Sequence, residues 1–148
     1  MLVQWECFSF DDLPNHTLYQ VLRLRSEVFV VEQNCVFLDA DNADEHCLHL
    51  CGFVEGNVAA YARLVPPGIL FPETSIGRVV TSPQYRGSGL GKVLMEEAIE
   101  LCHQVFGEGA IQIGAQLYLQ KFYESFGFTT IGEVYVEDGI DHIHMMLG

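Results

Sequence analysis

Positive charge is scarce in this sequence. Seven Lys and Arg stand against 20 Asp and Glu, leaving a net charge of −13 over 148 residues. A duplex binder displaces counterions with clustered cations, and so few build no broad basic face, which excludes nucleic acid as the expected partner. Long apolar runs are missing as well. The densest, Val28-Phe29-Val30-Val31, is bounded by Glu27 and Glu32, far short of the roughly 20 residues of a membrane span. The first residues, Met1-Leu2-Val3-Gln4-Trp5-Glu6, carry no basic leader, apolar core or small-residue cleavage site. Cysteine is sparse, odd in number and irregular in spacing: Cys7, Cys35, Cys47, Cys51 and Cys102. They read as buried thiols in a reducing compartment. The expectation is a cytoplasmic protein with no membrane partner. With no repeat, low-complexity tract or linker, residues 1–148 read as one domain.

What the chain does have is core-forming material. Hydrophobic residues make up 49% and charged ones only 18%, enough apolar area to offset folding entropy. Residues 2–10 alternate loosely as a first strand. Asp11 and Asp12 are candidate caps, and Pro14 suits the first turn of a helix carrying Leu18, Val21, Leu22, Arg25 and Phe29. The acidic stretch 39–45 is a loop. A hairpin follows, with strands near 47–54 and 58–65 joined across Glu55-Gly56-Asn57. Pro66-Pro67-Gly68 breaks the pattern, and a strand over 74–81 ends before Ser82-Pro83. From Gly89 to Phe106, Leu90, Val93, Leu94, Ala98, Leu101, Cys102 and Val105 share one helical face, opposite Glu96, Glu97 and Glu100. A strand at 110–114, a helix at 117–126 and strands at 128–136 and 140–147 complete an α/β layer structure.

The segment Arg86-Gly87-Ser88-Gly89-Leu90-Gly91 lies between a strand and the long helix. Missing side chains let backbone N–H groups approach an anion, and the helix dipole places partial positive charge there. Arg86 and Lys92 add charge that can pair with phosphate. Four of the seven cations, Arg78, Arg86, Lys92 and Lys121, fall between positions 78 and 121. The spacing excludes two familiar phosphate loops. A dinucleotide loop needs Gly-x-Gly-x-x-Gly, and a Walker loop needs Ser or Thr after Gly-Lys, where this chain has Val93.

The loop resembles motif A of the GNAT superfamily of acyl-CoA N-acyltransferases, Arg/Gln-x-x-Gly-x-Gly/Ala, which Arg86, Gly89 and Gly91 fill. The stretch Gln116 to Phe128 is similar to motif B. Phe122-Tyr123 and Gly127-Phe128 match it, while Gln116 and Leu119 replace the more common Asn and Ala. Leu24 to Gln33, the 39–45 segment and the ending Asp138 to Ile143 are similar to the ElaA-like subgroup. The resemblance implies the GNAT fold, a mixed, mostly antiparallel central sheet flanked by helices. It also implies that Arg86, Gly87, Ser88, Gly89, Leu90, Gly91 and Lys92 hold the pyrophosphate of acetyl-CoA. The strand at Val79, Val80 and Thr81 would bind the pantetheine arm with Gln116 nearby, and Tyr123 would donate a proton to the departing thiolate. Packing in the core accounts for Phe122, Phe126 and Phe128.

The implied reaction moves an acetyl group to a primary amine, for which a cationic small molecule or peptide suits the acidic field. No cysteine adjoins the matched motifs to act as a nucleophile. An attacking amine must lose a proton. The strand before the loop contains no carboxylate, so Glu73 at its start and His142 on the last strand are the candidates. His142 and His144 share one face of that strand and otherwise read as surface histidines. The missing strand carboxylate makes a non-catalytic CoA-binding module the alternative. A homodimer is a candidate assembly. Arg25-x-x-Val28-Phe29 also resembles acyl-homoserine-lactone synthases, but an acidic carrier-protein partner would be repelled by this chain. Cys47, His49 and Cys51 would face one way along a strand, yet their spacing matches no zinc signature, so no metal is expected. Asp44 and His49 are then expected to border the acceptor pocket.

Overall fold

The computed structural model describes residues 1–148. Its strands are β1 (Gln4–Ser9), β2 (Leu48–Val54), β3 (Asn57–Val65), β4 (Ser75–Thr81), β5 (Ile111–Gln116), β6 (Thr129–Glu137) and β7 (Ile140–Leu147), and its helices are α1 (Asn15–Arg25), α2 (Leu90–Phe106) and α3 (Gln120–Glu124). They form two antiparallel sheets, ordered β1-β2-β3-β4 and β5-β7-β6. One parallel bridge, Thr74 to Ile111, joins them, and the Gln112 N–H donates to the Thr74 carbonyl at 2.9 Å. Beyond that point β4 and β5 belong to different sheets and part.

Local chemistry explains most of the elements. Glu55 and Gly56 both have positive φ (51° and 81°), the two-residue turn that suits the twist of a hairpin. Leu90, Leu94, Met95, Ala98 and Cys102 of α2 recur at helical spacing and are buried against Leu50, Ala62, Leu64, Ile113 and Met145. Each fully buried Leu or Met contributes about 1.5–3 kcal/mol. Met95 belongs to this face, whereas Val93 and Val105 point to solvent, a correction to the stripe read from the sequence. The opposite face of the first sheet packs Cys51, Tyr61 and Val80 under Val21, Leu24 and Val28.

Several boundaries differ from expectation. Pro14 sits at the N-cap of α1 with no side-chain cap bond. Asp11 and Asp12 lie in the preceding turn instead, where backbone bonds from Asp12 to Ser9 and from Leu13 to Phe10 already close the chain. After Arg25 the helix widens into a seven-residue π-helical segment, Ser26–Glu32. Such segments are rare and cluster at functional sites. The strand expected at 110–114 extends to Gln116, and the helix expected at 117–126 is a 3₁₀ turn, Leu117–Leu119, followed by the short α3.

Candidate active site

The split between β4 and β5 organises the site. In the β3–β4 ladder, Tyr61 pairs with Val80 and Arg63 with Gly77, so Arg78 and Val79 together face only Ala62. Arg78 has φ 51°, rare for a residue with a side chain. This bulge interrupts the ladder and leaves the backbone at Val79 without a full set of strand partners. Thr81 ends the strand, and a 3₁₀ turn, Pro83–Tyr85, leads into the glycine loop. Gly87 and Gly89 take φ of 81° and 79°, which explains glycine at both. Gly91 is instead inside α2, facing Thr81 and Phe122, whose nearest atoms would lie 4.0 and 3.9 Å from a Cβ placed there. Gly89 caps α2 without a side chain, and its first turn has no acidic residue. The N–H groups of Leu90, Gly91 and Lys92 therefore keep their capacity for an anion.

The positive charge expected around the loop is largely spoken for. Arg78 turns away, its Nε donating to Asp39 Oδ1 at 2.8 Å and its Nη2 to the Asp39 carbonyl at 3.0 Å. Arg86 is gripped by Glu32, with bonds of 2.7 and 2.6 Å. That bond pulls the Glu32 carboxyl below its usual range. Neither Lys92 nor Lys121 has a carboxylate partner. Next to Glu32, the side-chain amides of Gln33 and Gln116 exchange bonds of 3.2 and 3.4 Å. The end of the π-helical segment thus ties the glycine loop to the tip of β5 across the mouth of the split. Hollows also open along α2 at Glu96 and His103, and between Leu2, Phe53 and Tyr85, the residue before Arg86.

Tyr123 lies on α3, 7% exposed, between Phe122 and Phe128. Burial pushes its phenol up to about 12, so it carries its proton at neutral pH. No hydrogen bond to its hydroxyl forms within the chain. Tyr118, which the sequence reading passed over, is 72% exposed and close enough to both Arg86 and Tyr123 to influence each electrostatically. Its place in motif B was visible; its outward orientation was not.

Glu73 immediately precedes the bridge where β4 and β5 meet. It is half-buried, and its Oε1 is sealed from solvent without a hydrogen-bond partner. His142 is not a surface histidine: it is 7% exposed, with Nδ1 2.7 Å from the Ile140 carbonyl. That carbonyl can only accept, so Nδ1 is the donor of this bond, and Nε2 is the nitrogen left outside it, 3.7 Å from Glu137. Asp44 and His49, expected beside the acceptor, are instead engaged in internal bonds. Asp44 binds Arg25 and Arg63, while His49, 1% exposed, lies between the Tyr61 hydroxyl and the Asp44 carbonyl at 2.6 and 2.9 Å. Cys47 Sγ donates to the Ala43 carbonyl. Burial pushes the Cys47, Cys51 and Cys102 thiols up, to about 11, 12 and 12. Cys7, expected inside, is exposed.

Two sheets joined at one bridge and parted at a glycine loop define an acyl-CoA N-acyltransferase fold. Residues 13–148 match the acetyltransferase (GNAT) domain, and the chain belongs to that family. A UPF0039 protein of Synechocystis is 41% identical over 147 residues, covering 99% of this chain and 96% of that one. The ElaA protein of Escherichia coli K12 is 39% identical over 146 residues, 97% of this chain and 95% of its own. The crystal structure of E. coli ElaA superposes with a TM-score of 0.92 at 38% identity, over 99% of this chain and all of that one. An acyl-CoA N-acyltransferase from Pseudomonas aeruginosa superposes at 0.95 with 39% identity and the same coverage.

Proposed function

We propose that this protein transfers the acetyl group of acetyl-CoA to a primary amine by direct attack on the thioester. The observation that carries this reading is the β4–β5 split, with a glycine loop at one end, an unpartnered carboxylate at the other, and a buried, unbonded phenol on α3. The pyrophosphate would sit on the N–H groups of Gly87 to Lys92, with Arg86 adding charge once it leaves Glu32. The pantetheine arm would pair with the backbone at Val79, Val80 and Thr81, with Gln116 on the facing strand. Glu73, or His142 through Nε2, takes the amine proton as the C–N bond forms. The tetrahedral carbon then collapses, the C–S bond breaks, and the sulfur leaves with negative charge. Tyr123 meets it. A thiol has an ordinary pKa of about 8.5, below that of the buried phenol, so Tyr123 stabilises the departing thiolate as a hydrogen-bond donor; where it passes its proton to the sulfur, the proton the base took from the amine restores the phenol and closes the balance as free thiol and amide leave. The high thiol pKa values and their burial argue against a covalent acyl-cysteine step.

The test is steady-state thiol release from acetyl-CoA across a panel of primary amines. Turnover supports the reading; acetyl-CoA binding without turnover across the panel would favour a non-catalytic module. In Tyr123→Phe the ring and its packing remain, so acetyl-CoA affinity and melting temperature should hold while kcat and kcat/KM fall together by about 10²- to 10⁴-fold. Full activity in that variant would remove Tyr123 from the mechanism. The same assay on Glu73→Gln and His142→Gln identifies the group that takes the proton.

A further inference from the structure

The two sheets are covered unequally. One face of β5-β7-β6, carrying Ile113, Ala115, Ile143 and Met145, is buried in the main core with α2 and α3. On the first sheet the other face is roofed by α1, which packs across β3 and β4. On the second sheet that face carries rings. Gly114 pairs with His144, and Gln116 pairs with His142, which pairs in turn with Tyr135. The Tyr135 ring stacks on His142 (5.7 Å, 27°) and on His144 (4.6 Å, 28°). Phe71 meets His144 edge-on at 5.6 Å and 87°. Tyr135 reaches across β7 so far that its hydroxyl would lie 2.9 Å from a Cβ placed on Gly114.

Two loops bound this floor. On one side, the Gln33–Gln116 bonds and the Cys35 Sγ contact with the Asp138 carbonyl (3.1 Å) hold down the chain after the π-helical segment. On the other, Phe71 brings in the loop that leads two residues later to Glu73. Glu137, 3.7 Å from His142 Nε2, and Glu73, two residues beyond Phe71, are acidic company for an amine, and Arg78 of β4, which lies over the Phe37 ring, is committed to Asp39 and Asp41. Phe71, Tyr135 and His144 are each only half-buried, so their ring surfaces remain partly open.

We propose that this ring-bearing sheet face between the two loops is the acceptor subsite, and that it takes a primary amine carried on an aromatic body, an arylalkylamine. The proposal rests on the acyl-transfer reading above. Ring–ring contacts add to plain burial, so an aryl group gains here what an alkyl chain of equal length does not. The amine end is directed toward Glu73 and the foot of the split.

The probes are 2-phenylethylamine and n-hexylamine, compared by kcat/KM with acetyl-CoA. A preference of about tenfold for the aryl amine is expected from one or two ring contacts, falling toward one in Tyr135→Leu. Equal rates on the two amines, or a preference that survives Tyr135→Leu, would overturn the proposal. Should Tyr135→Leu fail to fold, Gly114→Ala serves. The backbone there has no positive φ, and the added methyl acts by driving the Tyr135 ring from its place. If neither amine turns over, the acyl-transfer reading is in question, and the subsite is read by binding. Addition of 2-phenylethylamine to the CoA complex should shift the imidazole C–H proton signals of His142 and His144. Unmoved signals would overturn the subsite by themselves.

Discussion

Arg86 and Glu32 are 54 positions apart, and each is more than two-fifths exposed. The carboxylate holds the guanidinium in the two-pronged geometry a phosphate would use. Acetyl-CoA therefore competes with Glu32, and the two side chains should have opposite effects in calorimetry. Arg86→Ala should weaken acetyl-CoA binding by about tenfold, the low end for a charge-assisted contact, because Glu32 must be displaced first. Glu32→Gln should tighten it by up to about fivefold, since an exposed pair stabilises little. Weaker binding in Glu32→Gln would show that Glu32 positions Arg86 for the ligand and does not compete. Half of this was legible beforehand: Arg86 stood out through its motif, but Glu32 had no local signal, because its role exists only once α1 and the π-helical segment lie over the first sheet.

Between elements, the strongest polar device is a buried network joining α1, the 39–45 loop, β3 and β4. Arg25, Arg63 and Arg78 share Asp39, Asp41 and Asp44, three charges of each sign. Arg25 is 1% exposed, and Asp44 bonds both Arg25 and Arg63. Removing one partner of a buried pair strands the other, so Asp44→Ala should cost about 3–5 kcal/mol in urea unfolding; a loss under 1 kcal/mol would mean water replaces the carboxylate. The acidic 39–45 stretch was readable as a loop, but its function as counter-charge to three scattered arginines was not. This network also fixes the acid profile. Burial drags the Asp44 carboxyl upward, but the arginine hydrogen bonds outweigh it and hold it below the usual range; the same holds for Asp41. Their stabilisation is present above about pH 4, the unfolded value, and is lost as pH falls below it. His49 titrates first. Burial lowers its pKa, the unfolded chain takes its proton near pH 6.5, and so stability should begin to fall as pH drops through about 6.5. Urea midpoints between pH 7.5 and 5 check this, and His49→Gln should flatten that upper step.

At the scale of the whole molecule, a ligand that binds only the folded state stabilises it by mass action. Acetyl-CoA at about 100 times its dissociation constant should add about 2.7 kcal/mol, or about 5–10 °C in melting temperature for a chain of this size. A melting curve indifferent to millimolar acetyl-CoA would empty the proposed cleft. How far the sequence reached depends on the range of the forces involved. Hairpin, glycine loop and long helix were legible because each is set by neighbours in the chain: paired positive φ at Glu55 and Gly56, bare backbone at Gly87 and Gly89, and a three-to-four-residue repeat of buried side chains on α2. Family resemblance implied a mixed, mostly antiparallel sheet flanked by helices, but the order β1-β2-β3-β4 beside β5-β7-β6, joined through Thr74 and Ile111, followed from no local pattern. Only the tertiary structure decided which charges pair, that His142 is buried while Cys7 is exposed, and that Tyr135 lies between two imidazoles above Gly114. Those outcomes depend on groups 7 to 83 positions apart being desolvated together, and the free energy of such contacts appears only when the two sheets close around a shared core.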